Sequence, residues 1–426
     1  MPTFAKKAMK NTYLIFLFLP VLLSAQQLTY IKADRLFDGD VMHEKWGILV
    51  KDRKIEAVGN QFDMERGLPT DTRVFDLGDA TLLPGLIEGH SHLLLHPYNE
   101  ANWDDQVLKE ARALRVARAT VHAEKTLMAG FTTVRDLGTE GAEYDDVGLK
   151  QAINIGVIKG PRMIVATRAL IATGSYAPKG FSPDILIPQG AEEADGHDNL
   201  VKAVRTQIGK GADLIKVYAD YRWGLLSEAQ PTYTITELKT IVEVANSSGR
   251  GVVAHAGTAE GMRRAIEAGI ETIEHGDAGT AEIFRLMVSK NVCLCPTLAA
   301  GDAISQYRGW VKGTPEPERL QNKRASFKLA LDNKVKICMG GDVGVFPHGE
   351  NAREMEMMVD YGMSPLETLR SATSVNAEAF HIADKVGHLQ GGLMADIIAV
   401  EGNPSQNMSD IREVKFVMKD GKVFKQ

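Results

Sequence analysis

His90 and His92 flank Ser91 at the end of the apolar run Thr81-Leu82-Leu83-Pro84-Gly85-Leu86-Ile87. Side chains two apart on a strand share a face, so both imidazoles can aim at one point where a buried strand ends. Two histidines so spaced also arise by chance. What sets them apart is a series of further short apolar runs that carry chemistry-bearing residues. Lys216 lies in Asp213-Leu214-Ile215-Lys216-Val217-Tyr218, and His255 closes Val252-Val253-Ala254-His255. His275 follows Thr272-Ile273-Glu274, and Asp342 follows Met339-Gly340-Gly341. Four neutral imidazoles and a carboxylate are good ligands for Zn²⁺ or a similar divalent ion. Singly, each has a plainer reading, as a hydrogen-bonded core histidine or, for Asp342, a helix N-cap. Lys216 is the odd member, because burial disfavours its charged form. It could snorkel, or pair with Asp213 or Asp220. An ammonium has no lone pair for a metal. A neutral amine that takes up CO₂ becomes a carbamate, whose two oxygens can bridge two ions.

The elements that must position these groups alternate short apolar runs with longer amphipathic ones, as in βα units around a parallel sheet. The strand-like runs are Thr81 to Ile87, Thr132 to Val134, Met163 to Ala166, Asp213 to Val217, Gly251 to Ala254, Glu271 to Ile273, Val292 to Cys295 and Val335 to Met339. Helical patterns separate them, among them Val107 to Met128, Asn199 to Ile208 and Ile235 to Asn246. Eight such units predict an α/β fold, a (β/α)₈ TIM barrel whose working residues sit at the C-terminal strand ends. An open doubly wound sheet is the competitor, but no Gly-rich nucleotide fingerprint follows the first strand. Both chain ends read as short β segments, which predicts a small β-sandwich built from residues 26–84 and 390–426. The barrel then occupies 85–389.

The chain has 426 residues, long for one compact core, and a formal net charge of −6. No basic cluster interleaves with aromatics, which argues against nucleic-acid binding. Lys6, Lys7 and Lys10 precede the apolar stretch Tyr13 to Leu23, and Ser24-Ala25-Gln26 follows. That order predicts a signal peptide over residues 1–25, cleaved near Ala25, and a periplasmic or extracellular product. Met9 serves as a start as well as Met1. The apolar stretch is short for a spanning helix, so no stable membrane anchor is expected. Cys293, Cys295 and Cys338 all read as buried small hydrophobes with no disulfide framework. Cys293-Leu294-Cys295 as a soft-metal pair is the alternative. Monomer and homo-oligomer both stay open.

The ordered set His-x-His, Lys, His, His, Asp resembles the binuclear, carbamylated-lysine type of the amidohydrolase superfamily. Leu83 to His92, Gly130 to Asp136, Gly211 to Lys216, Gly362 to Pro365 through Ala372-Thr373, and Gly387 to Asp396 carry the resemblance over nearly the whole chain. It is similar in particular to the imidazolonepropionase-like branch with secreted prolidases and ochratoxin- and N-acyl amino acid hydrolases. The resemblance implies two divalent ions, zinc first, with CO₂ held as the carbamate of Lys216 (N6-carboxylysine). His90 and His92 would hold one ion, His255 and His275 the other, with Lys216 bridging and Asp342 on the first. It further implies attack by a hydroxide held between the ions, with Asp342 taking the proton and passing it to the leaving nitrogen. Relatives carry Gly-Gly-His where this chain reads Gly174-Ser175-Tyr176, so contacts of that histidine do not transfer. Tyr176 would donate to the substrate carbonyl in its stead, or simply pack. Tyr218, Tyr221 and Arg222 could clamp a carboxylate, the plainer reading for the last two being an exposed loop, and His348 could line the pocket. The expected function is an exported hydrolase of an amide next to a free carboxylate, in Xaa-Pro or other dipeptides, N-acyl amino acids or ochratoxin-type amides. The rivals are a one-metal cyclic-amide hydrolase or deaminase, and a binding protein without catalysis.

Overall fold

The computed structural model describes residues 2–3, 28–182, 184–222 and 228–426. Apart from residues 2 and 3, the expected signal segment and its cut near Ala25 lie outside the described residues. No described helix is long and apolar enough to cross a membrane.

The middle of the chain forms the expected barrel. Seven strands, Leu86–Ser91, Phe131–Asp136, Arg162–Val165, Ile215–Tyr218, Val252–Ala256, Thr272–His275 and Cys293–Cys295, follow one another around it. Neighbours pair in parallel, and Asp213 N–H donates to Val165 O at 2.8 Å where the third strand meets the fourth. The eighth position is a short parallel bridge between Ile337 and Leu294. It closes on the first strand through Gly89 N–H and Met339 O at 3.0 Å. Being covered on both faces, these strands read as near-continuous apolar runs.

The surrounding helices follow local rules. Ile235–Asn246 opens on a capping box of Thr234 and Glu237, and its buried stripe is Leu238, Ile241, Val242 and Ala245. Gly196–Lys210 ends at Gly211, whose φ of 113° in the left-handed region turns the chain toward the strand of Lys216. The pattern expected as one helix over Val107 to Met128 is two, Trp103–Leu108 and Arg112–Met128.

A β-sandwich uses both chain ends. One sheet orders Lys54–Asn60, Trp46–Lys51, Leu28–Lys32 and Arg73–Asp76; the other orders Lys422–Lys425, Val414–Lys419, Ile397–Glu401, Ala80–Pro84, Arg35–Phe37 and Met42–Glu44. Ile31, Leu36, Ile48, Leu82, Ile397 and Phe416 fill its core.

Two expectations need correction. The run Thr81 to Ile87 is not one strand. Ala80–Pro84 lies in the sandwich and the barrel strand starts at Leu86. Gly85 makes the switch, its N–H donating to Asp396 O at 2.9 Å. A Cβ there would sit 2.1 Å from Thr132 Oγ1. Both segments are fully buried, so hydropathy hides the break. The second concerns the cysteines. Cys293 and Cys338 form a disulfide with Cα atoms 6.0 Å apart, which leaves only Cys295 as a buried free thiol and removes the soft-metal pair. The partners are 45 residues apart, and only the closure of the barrel's seventh strand on its eighth brings them together.

Candidate metal centre

The six residues expected as ligands gather at one end of the barrel. Donor atoms of His90, His275 and Asp342 lie within 4.8 Å of one another. Asp342 Oδ1 is 3.3 Å from His92 Nε2 and 3.6 Å from His90 Nε2. The rings of His255 and His275 have centroids 4.4 Å apart, and those of His90 and His275 5.2 Å. Lys216 is 1% exposed, close enough for its charge to act on His90, His255 and His275. Neither plainer partner takes it. Asp213 pairs with Lys150 at 2.6 Å, and Asp220 accepts from Gly257 and Thr258. The backbone bends to present two of these groups, His275 at φ 78° and Asp342 at φ 62°. Left-handed geometry at a non-glycine residue costs about 1–3 kcal/mol and persists where its surroundings enforce it.

Three imidazoles have their far nitrogen held. His90 Nδ1 lies 2.8 Å from Glu274 Oε2, His92 Nδ1 2.9 Å from Gly138 O, and His275 Nδ1 2.7 Å from Thr297 Oγ1. Each contact turns Nε2 toward the centre, as a partner on the far nitrogen does for a metal-bound histidine. Arg135 and Thr272 hold the other oxygen of Glu274, at 2.8 and 2.5 Å. The sequence reading passed over Glu274 and Arg135, although a carboxylate inside an apolar strand beside a candidate ligand is a signal. Glu88 was missed as well. Its buried carboxylate accepts from His90 N–H, Gly341 N–H and Asn351 Nδ2, tying the first strand to the loop of Asp342. Burial raises its pKa to about 7.

Electrostatics suits a cation. Burial, then the positive charge of Lys216, pushes His90 down to about 4 and His255 to about 3. Burial and the neighbouring His255 and His90 hold His275 well below its ordinary value. These three imidazoles are therefore neutral near pH 7, the state that ligates metal. Burial lowers Lys216, which favours a neutral amine. Burial disfavours the charges of both His92 and Asp342, but contact with Asp342 outweighs it at His92, raising it to about 9, and His90 followed by His92 outweigh it at Asp342, lowering it to about 2. Convergent neutral nitrogens, a carboxylate and a buried amine fit a divalent ion.

Beside the centre stands an aromatic wall. The Tyr218 ring stacks on His255 at 4.8 Å, and Tyr176 lies 4.4 Å from Tyr218 and 4.8 Å from Tyr221. The Tyr176 hydroxyl donates to Glu140 at 2.7 Å. Arg222 is exposed, its carbonyl accepting from Lys179. His348 is buried against the His122 ring at 4.2 Å, with Nε2 3.1 Å from Leu95 O. It stands close enough to His92 for that ring and its backbone to act on it.

Over most of its length the chain is similar to known proteins. Residues 81–424 match the family model described as "Amidohydrolase family". The ochratoxinase of Aspergillus niger is 30% identical over 434 aligned positions, covering 94% of this chain and 87% of that protein. A crystal structure of a Xaa-Pro dipeptidase with bound methionine superposes with a TM-score of 0.83 at 32% identity, covering 94% of this chain and 100% of the other. A prolidase complexed with N-methylphosphonate-L-proline gives 0.81 at 27% identity over 94% and 100% of the two chains. A TIM barrel with a sandwich from both chain ends, ligand-type residues at its strand ends, and a match over most of its length make this chain a hydrolase of the amidohydrolase family.

Proposed function

We propose that this protein is an exported two-metal hydrolase cleaving an amide next to a free carboxylate, with Xaa-Pro dipeptides the first choice and N-acyl amino acids or ochratoxin-type amides next. His90, His92, His255, His275 and Asp342 would hold two divalent ions, zinc foremost, together with a carbamate formed as neutral Lys216 Nζ bonds to CO₂ and releases a proton. When bound, such ions polarise a carbonyl and lower the pKa of water. Glu274, the Gly138 carbonyl and Thr297 keep the imidazoles aimed. Asp342 Oδ1 takes the proton of the attacking water and returns it to the leaving nitrogen. The observation that carries this reading is Lys216: a buried lysine beside three neutral histidines, with no direct carboxylate partner among the described residues, Asp213 and Asp220 being engaged elsewhere. Names of similar proteins, a dipeptidase and an ochratoxinase, support the substrate class. The Cys293–Cys338 disulfide supports export, since such bonds persist in oxidising compartments.

The test is metal analysis of the purified protein with a dipeptide and acyl-amino-acid panel, zinc restored and bicarbonate present. Two ions per chain and chelator-sensitive turnover are expected. A single ion with full activity would favour the one-metal reading, and activity indifferent to chelator would overturn the metal reading altogether.

A further inference from the structure

We infer that the aromatic wall is a cage for the free α-ammonium group of a dipeptide substrate, with Glu140 as the residue that binds it. This rests on the reading of the chain as an amide hydrolase and narrows its substrate class. Glu140 is 2% exposed, in the loop after Phe131–Asp136, at a left-handed φ of 48°. Its Oε2 accepts from Trp103 Nε1 at 2.8 Å and from the Tyr176 hydroxyl at 2.7 Å; its Oε1 accepts from the Tyr218 hydroxyl at 3.2 Å. All three donors are neutral. Arg115 spends its guanidinium on the backbone carbonyls of Leu94, Thr139 and Glu140, not on the carboxylate. His92 Nδ1 is 3.9 Å from Oε1 but bonds the Gly138 carbonyl at 2.9 Å, so Glu140 is not the carboxylate that orients this ligand. Among the described residues the buried carboxylate has no lysine or arginine partner, and the nearest imidazole, His92 at 3.9 Å, is turned to the Gly138 carbonyl, so the site has room for a cation.

Counting protons decides which cation. A tyrosine hydroxyl carries one proton, and Tyr176 and Tyr218 both spend theirs on Glu140. Their oxygens then offer only lone pairs, and the carboxylate, with room for about four hydrogen bonds, has accepted three. At Tyr176, Tyr218 and Glu140 a carbonyl or carboxylate of the substrate would meet acceptors alone. An ammonium brings three donors, and the clustered faces of Tyr176, Tyr218 and Tyr221 attract it further. Tyr176 therefore has no proton left for the substrate carbonyl. The position also fits. Tyr218 and Tyr221 lie 4.8 and 5.5 Å from the His255 ring, and a dipeptide's ammonium is one carbon removed from its scissile carbonyl.

The test compares L-alanyl-L-proline with N-propionyl-L-proline, which differs only in replacing the ammonium by hydrogen. The zinc-loaded enzyme should favour the dipeptide in kcat/KM by about 10- to 100-fold, the scale of a hydrogen bond to a charged group. Glu140→Gln should bring that ratio toward one, and Tyr176→Phe should lower it less. A structural role would depress both substrates equally and leave the ratio intact. An equal rate on both substrates with the unmodified enzyme, or an unchanged ratio in Glu140→Gln, would overturn the cage. Should neither compound be hydrolysed, the Xaa-Pro choice of substrate fails separately, and tryptophan-fluorescence titration still reads the cage. L-alaninamide should then bind more tightly than propionamide, and lose that advantage in Glu140→Gln; equal binding would overturn the proposal.

Discussion

Glu274 serves three partners with its two oxygens, orienting His90 with one and joining Arg135 and Thr272 with the other. Glu274→Gln keeps the shape but removes the charge and offers His90 one acceptor at most. Loss of such an outer partner typically costs about 10- to 100-fold in metal affinity, measurable by competition with a chelating dye. Lys216→Ala acts differently. It deletes the one group able to form a carbamate, so occupancy should fall from two ions per chain toward one, with turnover falling at least about 100-fold. Elemental analysis beside activity checks both halves of that expectation. These candidate ligands were legible in the sequence as a group because each closes, or sits within, a short apolar run that has no other use for a polar group. Glu140 was not. Its partners Trp103, Tyr176 and Tyr218 come from three other places in the chain, and no spacing along the sequence foretells that they meet.

At the scale of elements, the Cys293–Cys338 disulfide joins the barrel's seventh strand to its eighth position, which meet through a single isolated bridge. Paired Cys293→Ser and Cys338→Ser substitution should lower unfolding stability by about 2–4 kcal/mol, read as a lower urea midpoint. Glu354 supplies another prediction. It accepts from Leu298 and Ala299 N–H at the start of the helix Leu298–Tyr307, and burial raises it to about 8. A folded pKa above the unfolded value of 4.5 means that the fold favours the protonated form. Its contribution is complete below about pH 4.5 and is lost as pH rises through 8. Unfolding free energy of the metal-free protein should fall across that window, and Glu354→Gln should flatten the slope. The barrel helices were legible because their stripes repeat at helical spacing, as Leu238, Ile241, Val242 and Ala245 do. Of the short helices that went unread, Ala352–Asp360 and Ser374–Ala379 have no side-chain cap to mark their starts, whereas Pro365–Ser371 carries a local signal that was overlooked, the Ser364–Glu367 capping box with Pro365 in the first turn.

For the whole molecule, the export reading predicts a mature protein beginning at Gln26, which N-terminal sequencing of the secreted or periplasmic material would show. The switch at Gly85 gives that prediction a further meaning. The strand Ala80–Pro84 lies between Ile397–Glu401 and Arg35–Phe37, and one residue later the chain enters the strand that carries His90. The first ligands are thus tethered to a sheet that needs the last thirty or so residues to be complete. A chain emerging from its N-terminus holds every histidine of the centre long before it holds Ile397–Glu401 and Val414–Lys419. Under the export reading, assembly of the proposed metal centre would be deferred to the far side of the membrane, where its ions would have to be found.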